Sequence, residues 1–153
     1  MEEKQQKKSS GTQHQLSTFK VGELYFGVDI LKVQEILRGQ EMTPVPLAPP
    51  EIRGLINLRG QIITALDLGT CLGLGSSAEG ANPMNVIVKI QEETMSLLVD
   101  EIGDVVEVSE SQFESTPEGL QRELQEFVSG VYKLDSRLLL LLNAERTIGA
   151  NTH

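Results

Sequence analysis

From His14 onward the apolar positions of the chain fall in short runs rather than in long helical stripes. "QLSTFKVGELYFGVDI" carries Val, Phe, Tyr and Thr in two runs punctuated by Gly22 and Gly27, which predicts strand, turn, strand. Asp29 is placed to cap a short helical turn over Ile30 to Val33. Pro44, Pro46, Pro49 and Pro50 then forbid a long helix. Strand-like runs return at residues 54–58, 62–66, 86–90, 96–99, 105–108, 131–134 and 138–142. Many short strands with frequent turns imply a mainly β protein with a few short helices. The main helical candidate is Pro117 to Phe127, with Ser115 or Thr116 as cap and Leu120, Leu124 and Phe127 on one face. Residues 1–13 have no periodicity and read as a disordered tail.

The pattern also repeats. Aligned without a gap, "GLINLRGQIITALD" from Gly54 matches "GVYKLDSRLLLLLN" from Gly130, with Leu58 opposite Leu134 and Leu66 opposite Leu142. "VDILKVQEI" from Val28 matches "VDEIGDVVEV" from Val99 if one residue is inserted, which pairs Glu35 with Glu107. Two similar β lobes, in tandem or interleaved, are the expectation, with chance likeness between β segments as the alternative. In each copy of the first repeat two apolar strands flank two turn residues, Arg59-Gly60 or Asp135-Ser136. A hairpin that accepts either pair does not explain an arginine. Taken alone, Arg59 is a solvated turn residue.

Composition narrows the function. The 153 residues include only 4% aromatics, so the core must be aliphatic. Acidic residues outnumber basic ones by 22 to 13, which argues against a sequence-independent grip on nucleic acid or on an anionic membrane. The polar start "MEEKQQKKSSGTQ" lacks the apolar core of a signal peptide, and a cytoplasmic location is expected. The single cysteine, Cys71, excludes an internal disulfide. Histidine occurs only at positions 14 and 153, beside the tail and at the end, so a rigidly held histidine base or metal ligand is not expected. "GLGSSA" from Gly73 fits the glycines of a dinucleotide loop, but "EGANP" would stop the helix that such a loop must open. Asp100, Glu101 and Asp104 lack calcium-loop spacing and read as a solvated rim. No enzyme, cofactor or metal emerges.

"FGVDILKVQEIL", "IRGLINLRGQIITALDL", "VDEIGDVVEV" and "GVYKLDSRLLLLLNAERTI" together resemble the CheW family of chemotaxis coupling proteins, over residues 14–148, with 149–153 as a flexible end. The resemblance implies one domain of two five-stranded Src-homology-3-like β-barrel lobes with a shared core. It implies a non-enzymatic adaptor that joins the cytoplasmic signalling tip of chemoreceptors to the histidine kinase CheA, recruited to membrane-associated receptor arrays. The length leaves no room for an added receiver domain. Carried over by motif, the receptor-facing positions are Val33, Glu35, Gly54, Arg59 and Val105, with Glu35 and Arg59 as a charge pair. Core packing is the alternative for either valine, and a loop role for Gly54. Thr64 stands where many relatives have proline, and the kinase-contacting surface has no equally sharp motif. An adaptor for pilus or gliding motility remains open, as does a small-molecule-binding β domain.

Overall fold

The structure is a computed structural model and describes residues 13–76 and 83–149. The chain runs β1 (Gln13–Val21), β2 (Leu24–Asp29), a 3-10 turn (Ile30–Lys32), β3 (Val33–Arg38), β4 (Ile52–Leu58) and β5 (Gln61–Asp67). Helix α1 (Leu68–Cys71) follows, then β6 (Met84–Ile90), β7 (Glu93–Val99), β8 (Glu101–Ser109), a 3-10 turn (Glu110–Gln112) and β9 (Phe113–Glu114). The last elements are α2 (Arg122–Phe127), β10 (Val128–Lys133), β11 (Leu138–Leu142) and α3 (Ala144–Gly149). Gln13 already pairs with Ser109, so strand structure starts one residue before the expected boundary. The rest of the expected tail, and residues 150–153 of the expected flexible end, lie outside the described residues.

Two sheets form, ordered β8-β1-β2-β11-β10-β9 and β3-β6-β7-β5-β4. The lobes are interleaved. The first half of the chain supplies β1 and β2 to one sheet and β3, β4 and β5 to the other, and the second half does the reverse. We call the lobe of β1 and β11 lobe A and that of β4 and β7 lobe B.

In both sheets the chain links one edge to the other. In lobe B, β3 and β4 lie at opposite edges, about 19 Å apart if five strands were laid flat. Yet Thr43, shortly after β3, exchanges two backbone hydrogen bonds with Leu55 of β4, at 2.9 and 2.8 Å. In lobe A only the Glu110–Gln112 turn separates edge strand β8 from edge strand β9. The two-residue β9 therefore continues β8 around a corner, so the six strands of this sheet amount to five separate lengths of chain.

The first internal repeat survives in detail. Gly54 and Gly130 each follow a bulge and pair with the corresponding residues Ala65 and Leu141. Each lets the closing segment approach. A Cβ on Gly54 would lie 2.6 Å from the Thr43 carbonyl oxygen, and one on Gly130 would run into the Phe113 ring. The second repeat is real but its register differs from the sequence alignment. β5 pairs Thr64 and Ala65 with Met95 and Ser96, while β11 pairs Leu140 and Leu141 with Phe26 and Gly27, so Phe26 corresponds to Met95. Carried onward through the partners of β1 and β6, Glu35 corresponds to Asp104 rather than Glu107, and Ile36 to Val105.

The expected helix from Pro117 is shorter, beginning at Arg122. Thr116 does not cap it, because its hydroxyl donates to the Val128 carbonyl at 3.0 Å. The Gln125 side-chain amide holds the carbonyls of Glu118 and Leu120 at 2.7 and 2.8 Å, which pins the Gly119 segment as a turn. Leu124 and Phe127 are buried as the pattern required. The expected cap at Asp29 forms, with its carboxylate accepting from the Leu31 N–H at 2.9 Å.

The core has three parts. The largest lies where the lobes meet and includes Phe19, Phe26, Leu66, Val88, Leu97 and Leu140. Lobe B has its own interior of Ile56, Ile63, Ala65, Ile87 and Leu98, and lobe A one of Leu16, Val108, Tyr132 and Leu139. Burying each large side chain stabilises the fold by about 1.5–3 kcal/mol. Most of that area joins the lobes, which holds β3 and β8 in fixed relation.

Candidate functional site

Arg59 occupies a turn that disfavours it. Leu58 pairs with Gln61, leaving Arg59 and Gly60 as the two turn residues, with φ of +52° and +86°. Two positive φ values mark the type I′ turn that Asn-Gly suits best, and a side chain other than Asn or Asp is strained at its first position. The Asn57 side chain steadies the turn by accepting the Gly60 N–H at 2.9 Å. In lobe A the corresponding Leu134 N–H donates to the Arg137 carbonyl at 2.9 Å, but neither Asp135 nor Ser136 has positive φ. The strained form is therefore particular to the arginine-bearing copy.

The Arg59 guanidinium reaches from the β4–β5 turn to Glu35 on β3 and donates two parallel hydrogen bonds, both 2.7 Å. The bond pair joins opposite edges of the lobe B sheet. The Arg59 hydrogen bonds hold the Glu35 carboxyl below its ordinary range, and Glu35 in turn raises Arg59, so both are charged at neutral pH. The arginine side chain is 68% exposed, leaving its outer face for a partner, whereas Glu35 is 26% exposed. Such a pair in water has little leverage on stability, and its bidentate geometry serves orientation.

The other expected positions differ in character. Val33 begins β3, is half-buried and packs on the inter-lobe core. Val105, on edge strand β8, is 51% exposed and available to a partner. Gly54 is buried beneath Thr43, where it shapes the closure of lobe B without offering a surface. The structure thus brings Glu35 and Arg59 together and leaves Gly54 behind them.

Sequence reasoning missed a second polar network. Asp67, fully buried, caps α1 by accepting the Thr70 N–H at 3.3 Å, receives the Ser76 hydroxyl at 2.6 Å and faces Arg53 at 3.4 Å. Arg53 also donates to Ser76 at 2.6 Å. The signal was an Asp directly before "LGTC", a capping pattern. This network ties the start of β4 to the end of β5, at the end of the hairpin away from Arg59.

An open cleft of about 340 Å³ in lobe A is lined by Leu16, Phe113, Tyr132, Asn143 and Glu145 among others, and by none of the expected site residues. Its Lys32 is already paired with Glu145 at 2.9 Å. No group of His, Cys, Asp and Glu among the described residues could hold a metal ion. No helix among them is long and apolar enough to cross a membrane.

Residues 15–151 match the family model described as a CheW-like domain. The chain belongs to the CheW family. It is 30% identical over 137 residues to the chemotaxis protein CheW of Bacillus subtilis, covering 90% of this chain and 88% of that one. Against CheW of Treponema pallidum it is 30% identical over 138 residues, covering 88% and 81%. The crystal structure of the scaffolding protein TtCheW from Thermoanaerobacter tengcongensis superposes with a TM-score of 0.76 at 29% identity, covering 84% and 88% of the two chains. The protein is accordingly a chemotaxis adaptor of the CheW family, and its two curled sheets are the CheW fold.

Proposed function

We propose that this adaptor couples the cytoplasmic tip of chemoreceptors to the histidine kinase CheA, without itself catalysing a reaction, and is recruited to receptor arrays by that contact. Arg59, Glu35 and Val105 face the receptor; Val33 and Gly54 act from beneath, by packing and by allowing Thr43 to close lobe B. The observation that carries this reading is the Glu35–Arg59 pair. A solvated turn has no need of an arginine at φ +52°, yet here one spans two sheet edges with bidentate geometry. It holds a guanidinium face in a defined orientation, and exposed Val105 supplies apolar contact of the kind an amphipathic helix uses.

Arg59→Glu tests this. The variant is expected to keep its thermal transition and circular dichroism while losing ternary assembly with receptor fragment and kinase in a pull-down. Retained assembly overturns the reading. Exchanging the charges, Glu35→Arg with Arg59→Glu, should recover more assembly than either single change. Identification of the kinase and receptor recovered with the wild-type protein distinguishes a flagellar pathway from a pilus or gliding one.

A further inference from the structure

The corrected register of the repeat reveals an asymmetry that its sequence alignment hides. Ile36 on β3 and Val105 on β8 occupy equivalent places on two edge strands and are both exposed, at 36% and 51%. The apolar contact is therefore duplicated. The charges are not. Lobe B has Glu35 bonded to Arg59, whereas lobe A has Asp104 and Asp135 at the corresponding positions, both exposed. Among the described residues neither aspartate side chain has an ion-pair or hydrogen-bond partner. The lobe A hairpin does carry an arginine, Arg137, but its guanidinium lies over the Tyr25 ring at 4.1 Å. The Tyr25 hydroxyl donates to the Thr18 hydroxyl at 3.1 Å, which donates to the Asp104 backbone carbonyl at 2.5 Å. Arg137 is thus engaged with the ring that buttresses β8, and the two carboxylates remain uncompensated.

We infer that the receptor helix presents an arginine or lysine to Asp104 and Asp135, and that this contact sets the direction in which the helix lies across the adaptor. The inference rests on the receptor-facing reading above. Duplicated apolar contacts would accept an amphipathic helix in either of two opposite directions with equal burial. Charge makes the directions unequal. With its basic residue at the lobe A end, the helix neutralises two free aspartates. Turned round, it sets that cation against Arg59, whose partner Glu35 already has both carboxylate oxygens occupied.

The test uses the full chain and a soluble chemoreceptor cytoplasmic fragment that includes the signalling tip. Asp104→Asn with Asp135→Asn should weaken binding by about three- to tenfold at low salt and flatten its salt dependence. Val105→Ser, which alters no charge, probes the receptor-facing reading separately. If Val105→Ser weakens binding and the asparagine variant does not, the charge assignment is overturned and the face stands. If neither substitution moves the affinity, both fall. Direction is read by disulfide formation between one cysteine on the receptor helix and either Ile36→Cys or Val105→Cys. Unequal yields that become equal in the asparagine variant support the inference; yields that are equal at the outset, or a preference that the variant keeps, refute it.

Discussion

Gly54→Ala separates a folding role from a binding role. The added methyl carbon would lie 2.6 Å from the Thr43 carbonyl oxygen and 3.1 Å from its carbon, well inside normal contact. Thr43 cannot withdraw freely, because its N–H donates to Leu55 at 2.9 Å and its carbonyl accepts from Leu55 at 2.8 Å. Overpacking of this kind costs about 1–3 kcal/mol, and a retreat of Thr43 that loosened both hydrogen bonds would add about 1 kcal/mol for each. An overall loss of about 3–5 kcal/mol is expected if both hydrogen bonds loosen. Gly60 is the internal reference: an alanine Cβ there meets nothing within 4 Å, so at φ +86° it bears only the left-handed penalty of about 1–2 kcal/mol. Urea denaturation of both variants provides the comparison. Gly54→Ala should shift the midpoint further than Gly60→Ala, while the fraction that stays folded binds receptor fragment as the wild type does. Equal or reversed midpoints would refute the closure role, and a folded Gly54→Ala protein unable to bind would make Gly54 a contact residue.

Two further outcomes follow from local chemistry. Burial, reinforced by Glu51, Glu126 and Asp67, pushes the Cys71 thiol up to about 12, so near neutral pH it should react with a maleimide slowly in the native protein and rapidly after unfolding; fast native labelling would contradict the packing of α1. Leu47 is fully exposed and sits at φ +63° as the third residue of the Val45–Ala48 turn, in which the Ala48 N–H donates to the Val45 carbonyl at 3.3 Å. Leu47→Asn, a residue that tolerates this conformation, should raise stability by about 0.5–1 kcal/mol in thermal unfolding, and a loss would mean that the leucine packs in a way its exposure does not reveal.

The strands at residues 54–58, 62–66 and 138–142 were legible because turn residues bracket clear apolar runs, and the hairpin repeat was legible because its glycines and leucines share one register. The Val28 and Val99 segments misled by two to three residues. Both contain the dipeptide Val-Asp, which aligns them two residues out of register, and a slip of two keeps the same side chains inward, so hydrophobic alternation does not detect it; the inserted residue then carries Glu35 a third residue off, onto Glu107. Only the parallel pairing of β2 with β11 and of β7 with β5 reveals it. The receptor-facing positions came from family likeness. That Arg59 and Glu35 meet depends on the curl of a whole sheet, which no local pattern records. The Arg53–Asp67 contact was hidden for the same reason, since its partners lie on different strands.

The exchange of strands between lobes bears on ancestry. A polypeptide carrying only one half, a hairpin followed by three strands, would leave both parts without their sheet neighbours, because each is completed by the other half. The smallest assembly able to satisfy both is two copies swapping strands around a two-fold axis. Duplication and fusion of such a dimer would yield the present strand order. A single fused chain also lets the halves differ, so that one carries an arginine where the other carries an aspartate, a distinction that two identical subunits could never encode.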